Sequence, residues 1–371
     1  MRPKNQDSSC IEEILCSILL MRINYCLSIS GLILFNEHNT LHFKEQILKL
    51  FLNYSDQRFN DLSFQVFEYQ SKNNKVYNKY LSLINIKPKD ISTIDEIPLM
   101  PINLYKNQII KTSDWSAEKV FQSSGTTNST RSKNYIKSLE WYHQIAKSSF
   151  ELEFGPLNDY IVLALLPSYI DNRDSSLVSM VDYFIRQSDQ EKGGFFQFDF
   201  KNLSEYISNL LELTNKKILL IGVSFALIDF CKINSFDNSQ LTIMFTGGMK
   251  NRGRELTFSE LHKTIKTSFP SSIIVSEYGM TELCSQAYSN EFGVFKPAPT
   301  MKVLGKEITD PFTTAIVNKN AQIGVIDLGN IDTLSFILTE DAGRQTEVGF
   351  EILGRLDLSD IRGCNLLYQS L

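Results

Sequence analysis

KILLIGVSFALIDFCKINSFDNSQLTIMFTGG, residues 217–248, decides the fold class. It opens on KILLIG, an unbroken apolar run of strand length, continues through the helical pattern VSFALIDFCK, and returns to a second apolar run, LTIMFT, that stops at Gly247 and Gly248. A strand with one wet face alternates apolar and polar residues. A run without alternation is buried on both faces, which calls for a mostly parallel sheet with helices above and below it.

The same alternation extends outward in both directions. Upstream, YIVLALLP reads as a buried strand ended by Pro167, SSLVSMVDYFIRQS as a helix capped by Asp174 or Ser175, GFFQFDF as a strand and NLSEYISNLLELT as a helix. Downstream, ELTFSELHKTIKTSF is a helix and SSIIVSEYG a strand. Nearer the N-terminus, HFKEQILKLFLNY and FNDLSFQVFEYQSKNNKVYNKYLSLI carry apolar residues every three or four positions and form a helical layer. IKPKDISTIDEIPLMPINLYK, with Pro88, Pro98 and Pro101, reads as an extended connection. From residue 313 the runs QIGVIDLGN, LSFILTED and GFEILGR are short and separated by turns, so a smaller, largely antiparallel β-subdomain is expected over about 313–371. The fold class is therefore α/β: mostly parallel sheets with covering helices, plus that β-subdomain. Residues 44–371 form the main domain, and 1–43 an N-terminal extension of uncertain status.

Composition narrows the function. A formal charge of −5, with Lys and Arg spread along the chain, provides no basic field, so no nucleic-acid partner is expected. The six cysteines show no CxxC pair, and the four histidines no ligand spacing, which points to free thiols in a reducing, cytoplasmic setting without a structural metal or a Ser-His-Asp triad. The apolar run at residues 14–35 has Arg22 and Asn24 in its middle, so no stable membrane insertion is expected; a leader, a packing helix or a start at Met21 or later all accommodate it. Oligomeric state is left open.

The chemistry concentrates in loops. Residues 121–133, FQSSGTTNSTRSK, hold seven hydroxyl side chains with Gly125, Arg131 and Lys133, the composition of a phosphate cradle and equally that of a surface loop. Neither a Walker loop nor a dinucleotide fingerprint is present. Ligands in parallel sheets sit beyond the C-terminal strand ends. Leu166 to Tyr169, Gly222 to Ser224, Thr246 to Lys250 and Tyr278 to Glu282 all follow strands and should converge on one cleft. Gly247 and Gly248 would let a flat ring lie on bare backbone, or simply make a turn. Tyr278, Thr281 and Glu282 offer an aromatic face, a hydroxyl and a carboxylate suited to Mg²⁺, while Thr281 and Glu282 would equally start a helix. Asp341 and Arg355 fall on turns between short strands, where they either meet a ribose or are solvated.

The order Ser-Ser-Gly-Thr-Thr, Thr-Gly-Gly, Tyr-Gly-Met-Thr-Glu, then an acid before Gly-Arg-x-Asp, resembles the adenylate-forming superfamily of acyl-CoA synthetases and luciferases. ALLPSYI, SEYGMTELCSQAY, VIDLGNID and LGRLDLSDIRGCN look like the acyl-protein synthetase subunit of the bacterial luminescence fatty-acid reductase, over roughly residues 45–371. The resemblance implies that Ser123, Ser124, Gly125, Thr126, Thr127 and Lys133 bind ATP phosphates. It implies that Gly247, Gly248 and Tyr278 enclose the adenine, Thr281 touches the α-phosphate, Glu282 holds Mg²⁺, and Asp341 with Arg355 binds ribose. Asn128 departs from the glycine usual in the loop motif. The mobile C-terminal domain of larger members has no counterpart among the residues that follow Gly363. Cys364 stands where those relatives carry an acyl-accepting cysteine, so the implied reaction is fatty-acid adenylation, thioester formation on Cys364 and hand-over to an acyl reductase or other acceptor protein. An acyl-CoA ligase or acyltransferase, and a silent nucleotide- or acyl-binding scaffold, are the alternatives.

Overall fold

The structure, a computed structural model, describes residues 31–123, 130–167, 174–247, 256–289 and 291–356, with side chains from residue 40 onward. Three helices come first: α1 (Gly31–Leu52), α2 (Asp56–Asn73) and α3 (Lys75–Leu83). The expected single helical run over 59–84 breaks at Asn74. Its side chain caps α3 by accepting from the Tyr77 N–H, and its Nδ2 donates to the Thr333 carbonyl at 2.9 Å.

The proline-rich connection is not extended throughout. It forms 3-10 turns at Pro88–Asp90, Ile94–Glu96 and Ile102–Lys106 around the two-residue strand β1 (Met100–Pro101). Pro88 occupies the first position of its turn, where an N–H is not needed, and Glu96 accepts from the N–H groups of Ser92 and Thr93.

β2 (Lys119–Gln122) and β3 (Lys133–Ile136) form a separate antiparallel pair. The expected alternation follows: α4 (Leu139–Phe154), β4 (Tyr160–Leu165), α5 (Ser176–Gln187), β5 (Gly194–Phe196), α6 (Phe200–Leu213), β6 (Lys217–Val223), α7 (Ser224–Cys231), β7 (Leu241–Thr246), α8 (Phe258–Ser268) and β8 (Ile273–Tyr278). Ser175, rather than Asp174, caps α5. β5 is shorter than GFFQFDF suggested because Asp199 caps α6 by accepting from the Asn202 N–H. The remaining strands are β9 (Ala287–Ser289), β10 (Phe295–Pro297), β11 (Met301–Lys306), β12 (Ala321–Asp327), β13 (Phe336–Gln345) and β14 (Phe350–Arg355).

Among the described residues, twelve strands share one sheet in the order β11-β12-β13-β14-β10-β9-β8-β7-β6-β4-β5, with β1 beside β13. β5, β4, β6, β7 and β8 run parallel, and every strand of β4 and β7 is buried along its length, as an unbroken apolar run requires. From β8 through β11 each neighbouring pair is antiparallel. The expected antiparallel region is thus present, and β10 and β14 join it by hydrogen bonds to the parallel half. β8 lies at the change of direction, with a parallel neighbour on one side and an antiparallel one on the other.

The N-terminal helices brace the buried connection between β12 and β13. Gln70 of α2 donates from Nε2 to the carbonyls of Asn330 (3.1 Å) and Ile331 (3.2 Å), and its Oε1 accepts from the Ser335 N–H at 2.9 Å. Lys44 of α1 pairs with Asp332 at 2.6 Å, and Trp141 of α4 donates to the Gly329 carbonyl at 2.8 Å. Replacing Gln70 by leucine strands these buried backbone groups, each worth about 1–3 kcal/mol. Gln70→Leu should therefore lower the unfolding free energy in urea by about 3 kcal/mol, whereas Lys72→Ala on the exposed side of the same helix should stay within about 0.5 kcal/mol of the native chain.

Candidate active site

The neck of the hydroxyl-rich loop is closed by two hydrogen bonds: the Ser123 N–H donates to the Ser132 carbonyl (3.1 Å), and the Ser132 N–H to Ser123 Oγ (3.0 Å). Lys133 opens β3 opposite Gln122 and is exposed. Ser124, Gly125, Thr126, Thr127 and Asn128 lie outside the described residues, as do Gly248 and Cys364. The next residue of β3, Asn134, is buried and donates from Nδ2 to the Thr281 carbonyl at 2.9 Å. The loop-bearing pair β2–β3 is thereby tied to the Tyr278–Glu282 segment, through a residue that nothing in the local sequence pattern marks.

Residues 281–285 form turns, and no helix starts there, so the capping alternative for Thr281 and Glu282 falls away. The path of this segment is held by Asp327, at the end of β12. Its carboxylate accepts from the N–H groups of Cys284 (2.7 Å), Ser285 (2.9 Å) and Gly329 (3.0 Å) and from the Ser285 hydroxyl (2.6 Å). Asn330 Nδ2 donates to the Glu282 carbonyl at 2.8 Å. The Glu282 side chain is held at 5 % exposure. Burial pushes its carboxyl above the usual range, and the Ser132 hydroxyl and the Arg355 charge pull it back down. A buried carboxyl suits a divalent ion: one carboxylate, completed by phosphate oxygens and water, is the usual Mg²⁺ set at a nucleotide. Among the described residues no group of three or more His, Cys, Asp or Glu could hold a metal by itself.

Tyr278, the last residue of β8, donates from Oη to Asp341 Oδ2 at 2.8 Å. Its ring, 9 % exposed, packs edge-on against Phe350 (centroids 5.1 Å apart) and is tilted towards Phe295. Asp341 and Arg355 are direct partners across β13 and β14, and the guanidinium Nε lies 3.7 Å from Asp341 Oδ1, an ion pair rather than a hydrogen bond. The expectation that Asp341 and Arg355 fall on turns is corrected: Asp341 lies inside β13, which pairs with both β12 and β14 around a bulge at Ala342/Gly343, and Arg355 is the last residue of β14. Burial, the larger effect, raises the Asp341 carboxyl; the Tyr278 hydroxyl and Arg355 oppose it. Gly247 adopts φ 66° and its carbonyl accepts from Ser224 Oγ at 2.5 Å; the expected loop at Gly222–Ser224 is instead the end of β6 running directly into α7, whose first residue meets the chain leaving β7.

The structure thus brings Ser123, Thr281, Glu282, Tyr278, Asp341 and Arg355 into one connected set through Ser132 and Asn134, with Gly247 at the end of the adjacent strand. Asn134, Asp327, Asn330 and Ser132 were missed. Tyr278→Phe removes a donor to a buried carboxylate, an interaction worth about 2 kcal/mol. Its destabilisation should grow as pH rises through the titration of Asp341, because protonated Asp341 loses less when the hydroxyl is gone; urea titrations on both sides of that range check this, and a pH-independent difference contradicts it.

No family model matches the sequence, and no curated protein matches it. Among solved structures, the chain is similar to 2-hydroxyisobutyryl-CoA ligase in the postadenylation state in complex with 2-HIB-AMP, with a TM-score of 0.60 and 13% identity over 81% of this chain and 68% of that one. The open conformation of the same ligase in complex with 2-HIB-AMP and CoA gives a TM-score of 0.60 at 11% identity, covering 81% and 70% of the two chains. Its complex with R3-HIB-AMP gives 0.59 at 12% identity. No described helix is long and apolar enough to cross a membrane. At these identities the likeness is one of fold: the chain shares the α/β fold of 2-hydroxyisobutyryl-CoA ligase.

Proposed function

We propose that this chain activates a carboxylic acid with ATP, forming an acyl adenylate and pyrophosphate, and then passes the acyl group to a thiol. The observation that carries this reading is the Tyr278–Asp341 hydrogen bond, 2.8 Å long across 63 residues of chain. It joins the two segments to which the resemblance gives base and ribose, within a fold shared with a ligase in complex with 2-HIB-AMP.

In the first half-reaction the acid's carboxylate oxygen attacks the α-phosphorus of ATP. The new C–O–P linkage forms as the bond to pyrophosphate breaks. Lys133, Thr281 and the loop at 123–127 face the phosphates, Tyr278 with Gly247 and Gly248 borders the base, and Asp341 with Arg355 holds the ribose. Glu282 would hold Mg²⁺, which supplies positive charge to the phosphoryl oxygens. Positioning and charge stabilisation carry such chemistry, so a histidine dyad is not required. In the second half-reaction a thiolate attacks the acyl carbonyl, the C–S bond forms, AMP leaves and the thiol proton goes to solvent.

The finer reading takes a long-chain fatty acid as substrate, Cys364 as the acyl acceptor, and an acyl reductase or another acceptor protein as the partner. Its support is the resemblance of SEYGMTELCSQAY and LGRLDLSDIRGCN to the acyl-protein synthetases. A second reading, transfer to CoA, is favoured by the ligase structures that share the fold, one of them in complex with CoA.

Fatty-acid-dependent exchange of labelled pyrophosphate into ATP is the test. Native protein should exchange, and Glu282→Gln and Asp341→Asn should each slow exchange at least about tenfold, the cost of one lost charged contact. Burial raises the carboxyls of Glu282 and Asp341, so exchange should fall on the acid side at a higher pH than ordinary carboxylates titrate. With labelled fatty acid, intact mass should show a hydroxylamine-labile adduct that is absent from Cys364→Ser. An adduct retained in that variant rejects Cys364 as acceptor, and release of acyl-CoA without an adduct favours the second reading.

A further inference from the structure

The C-terminal ends of β7 and β8 are joined by a contact that the proposed chemistry does not use. Thr246 and Glu277 are direct partners in the parallel register, so their side chains leave the same face of the sheet. Thr246 Oγ1 donates to Glu277 Oε2 at 2.5 Å. Thr246 immediately precedes the Gly247–Gly248 loop, and Glu277 immediately precedes Tyr278. The second carboxyl oxygen lies beneath the following loop: a methyl group added to Gly279 would sit 2.3 Å from Glu277 Oε1. Any side chain at position 279 would therefore push the Glu277 carboxyl from its place. Ser224 adds a third tie through its bond to the Gly247 carbonyl.

We propose that Glu277 is a positioning residue of this site, a brace that through Thr246 and Gly279 fixes the spacing of the chain where it leaves β7 at Gly247 and β8 at Tyr278. Its kinetic consequence rests on the adenylation reading; the brace itself does not.

Burial sets the chemistry of the brace. Glu277 is 6 % exposed, and its direct neighbour across the antiparallel side is Tyr288 of β9. The titratable groups that face it are Tyr288 and Tyr142 of α4, both held neutral by burial; Glu153 of α4 acts in turn on Tyr288. Burial pushes the Glu277 carboxyl up to about 7, and the Thr246 hydroxyl opposes this. Neutral, the carboxyl accepts from Thr246 and fits under Gly279. Ionised, it is a buried charge with one hydroxyl donor among the described residues, relieved by water entering between the strand ends, which loosens both ends. The folded chain holds this proton above the carboxyl's ordinary value of 4.5, so the brace is whole at lower pH and is lost as pH rises through about 7.

Amide hydrogen exchange, corrected for the intrinsic pH dependence of the chemistry, reads the brace without substrate. Peptides covering 241–247 and 273–283 should lose protection severalfold between about pH 6 and about pH 8 in the native chain. Glu277→Gln, similar in shape and uncharged, should show no such loss. Thr246→Val removes the hydroxyl that favours the ionised form, so its transition should move to higher pH. Equal pH responses in native and Glu277→Gln overturn the brace, whether or not the chain activates acids. If Glu277→Gln does not fold, a Thr246→Val transition that is unmoved or shifted to lower pH overturns it instead. In pyrophosphate exchange, KM for ATP should rise severalfold over the same interval in the native protein and stay flat in Glu277→Gln. An identical rise in both overturns the positioning role. The expected protection pattern with no exchange at any pH upholds the brace and overturns the adenylation reading.

Discussion

Asp327 is the group on which the site depends. It ends β12 as a fully buried carboxylate and gathers three backbone N–H groups and a hydroxyl, from Cys284, Ser285 and Gly329. A turn of this kind cannot satisfy its own backbone by regular secondary structure, and an unpaired buried N–H is costly. One carboxylate solves this for both sides at once: it steers the chain after Glu282 and starts the connection that leads to β13. Asp341 is carried by that same β13, so the segment bearing Thr281 and Glu282 and the strand bearing Asp341 are positioned from a common point.

Around that point the molecule repeats one device, a buried side chain that covers distant backbone. Gln70 and Trp141 cover the connection beyond Asp327, Asn330 covers the Glu282 carbonyl, and Asn134 covers that of Thr281. The helical N-terminal layer thereby contributes to the site through its contacts with that connection. Its role is to make an irregular, buried stretch of chain rigid, which suits a reaction whose rate depends on positioning. Glu282 and Asp341 are both buried, and the exposed Arg355 acts on the carboxyls of both.

Much of the framework was legible along the chain. Unbroken apolar runs marked β4, β6, β7 and β8, and the intervening 3.6-residue periodicity marked the helices, because both signals are local and survive any tertiary arrangement. Misses occurred where a side chain formed a contact that periodicity does not register. Asn74 divided a helical run, Asp199 shortened β5, and Thr93 with Glu96 coiled a proline-rich segment that composition alone made extended. Asp341 looked like a turn residue because its neighbours are polar, yet β12 and β14 flank it on either side.

The sequence by itself determined the α/β alternation, the parallel character of the strands up to β8, and which loops carry hydroxyls, glycines and acids. Those properties depend on composition and spacing within ten or twenty residues. Only the tertiary structure decided which of these groups meet: Tyr278 with Asp341, 63 residues apart, Asn134 with Thr281, 147 apart, and Asp327 with Ser285, 42 apart. The physical reason is that side-chain hydrogen bonds need only short distance and good angles. Both are set by strand order and buried loop paths, which no local pattern encodes.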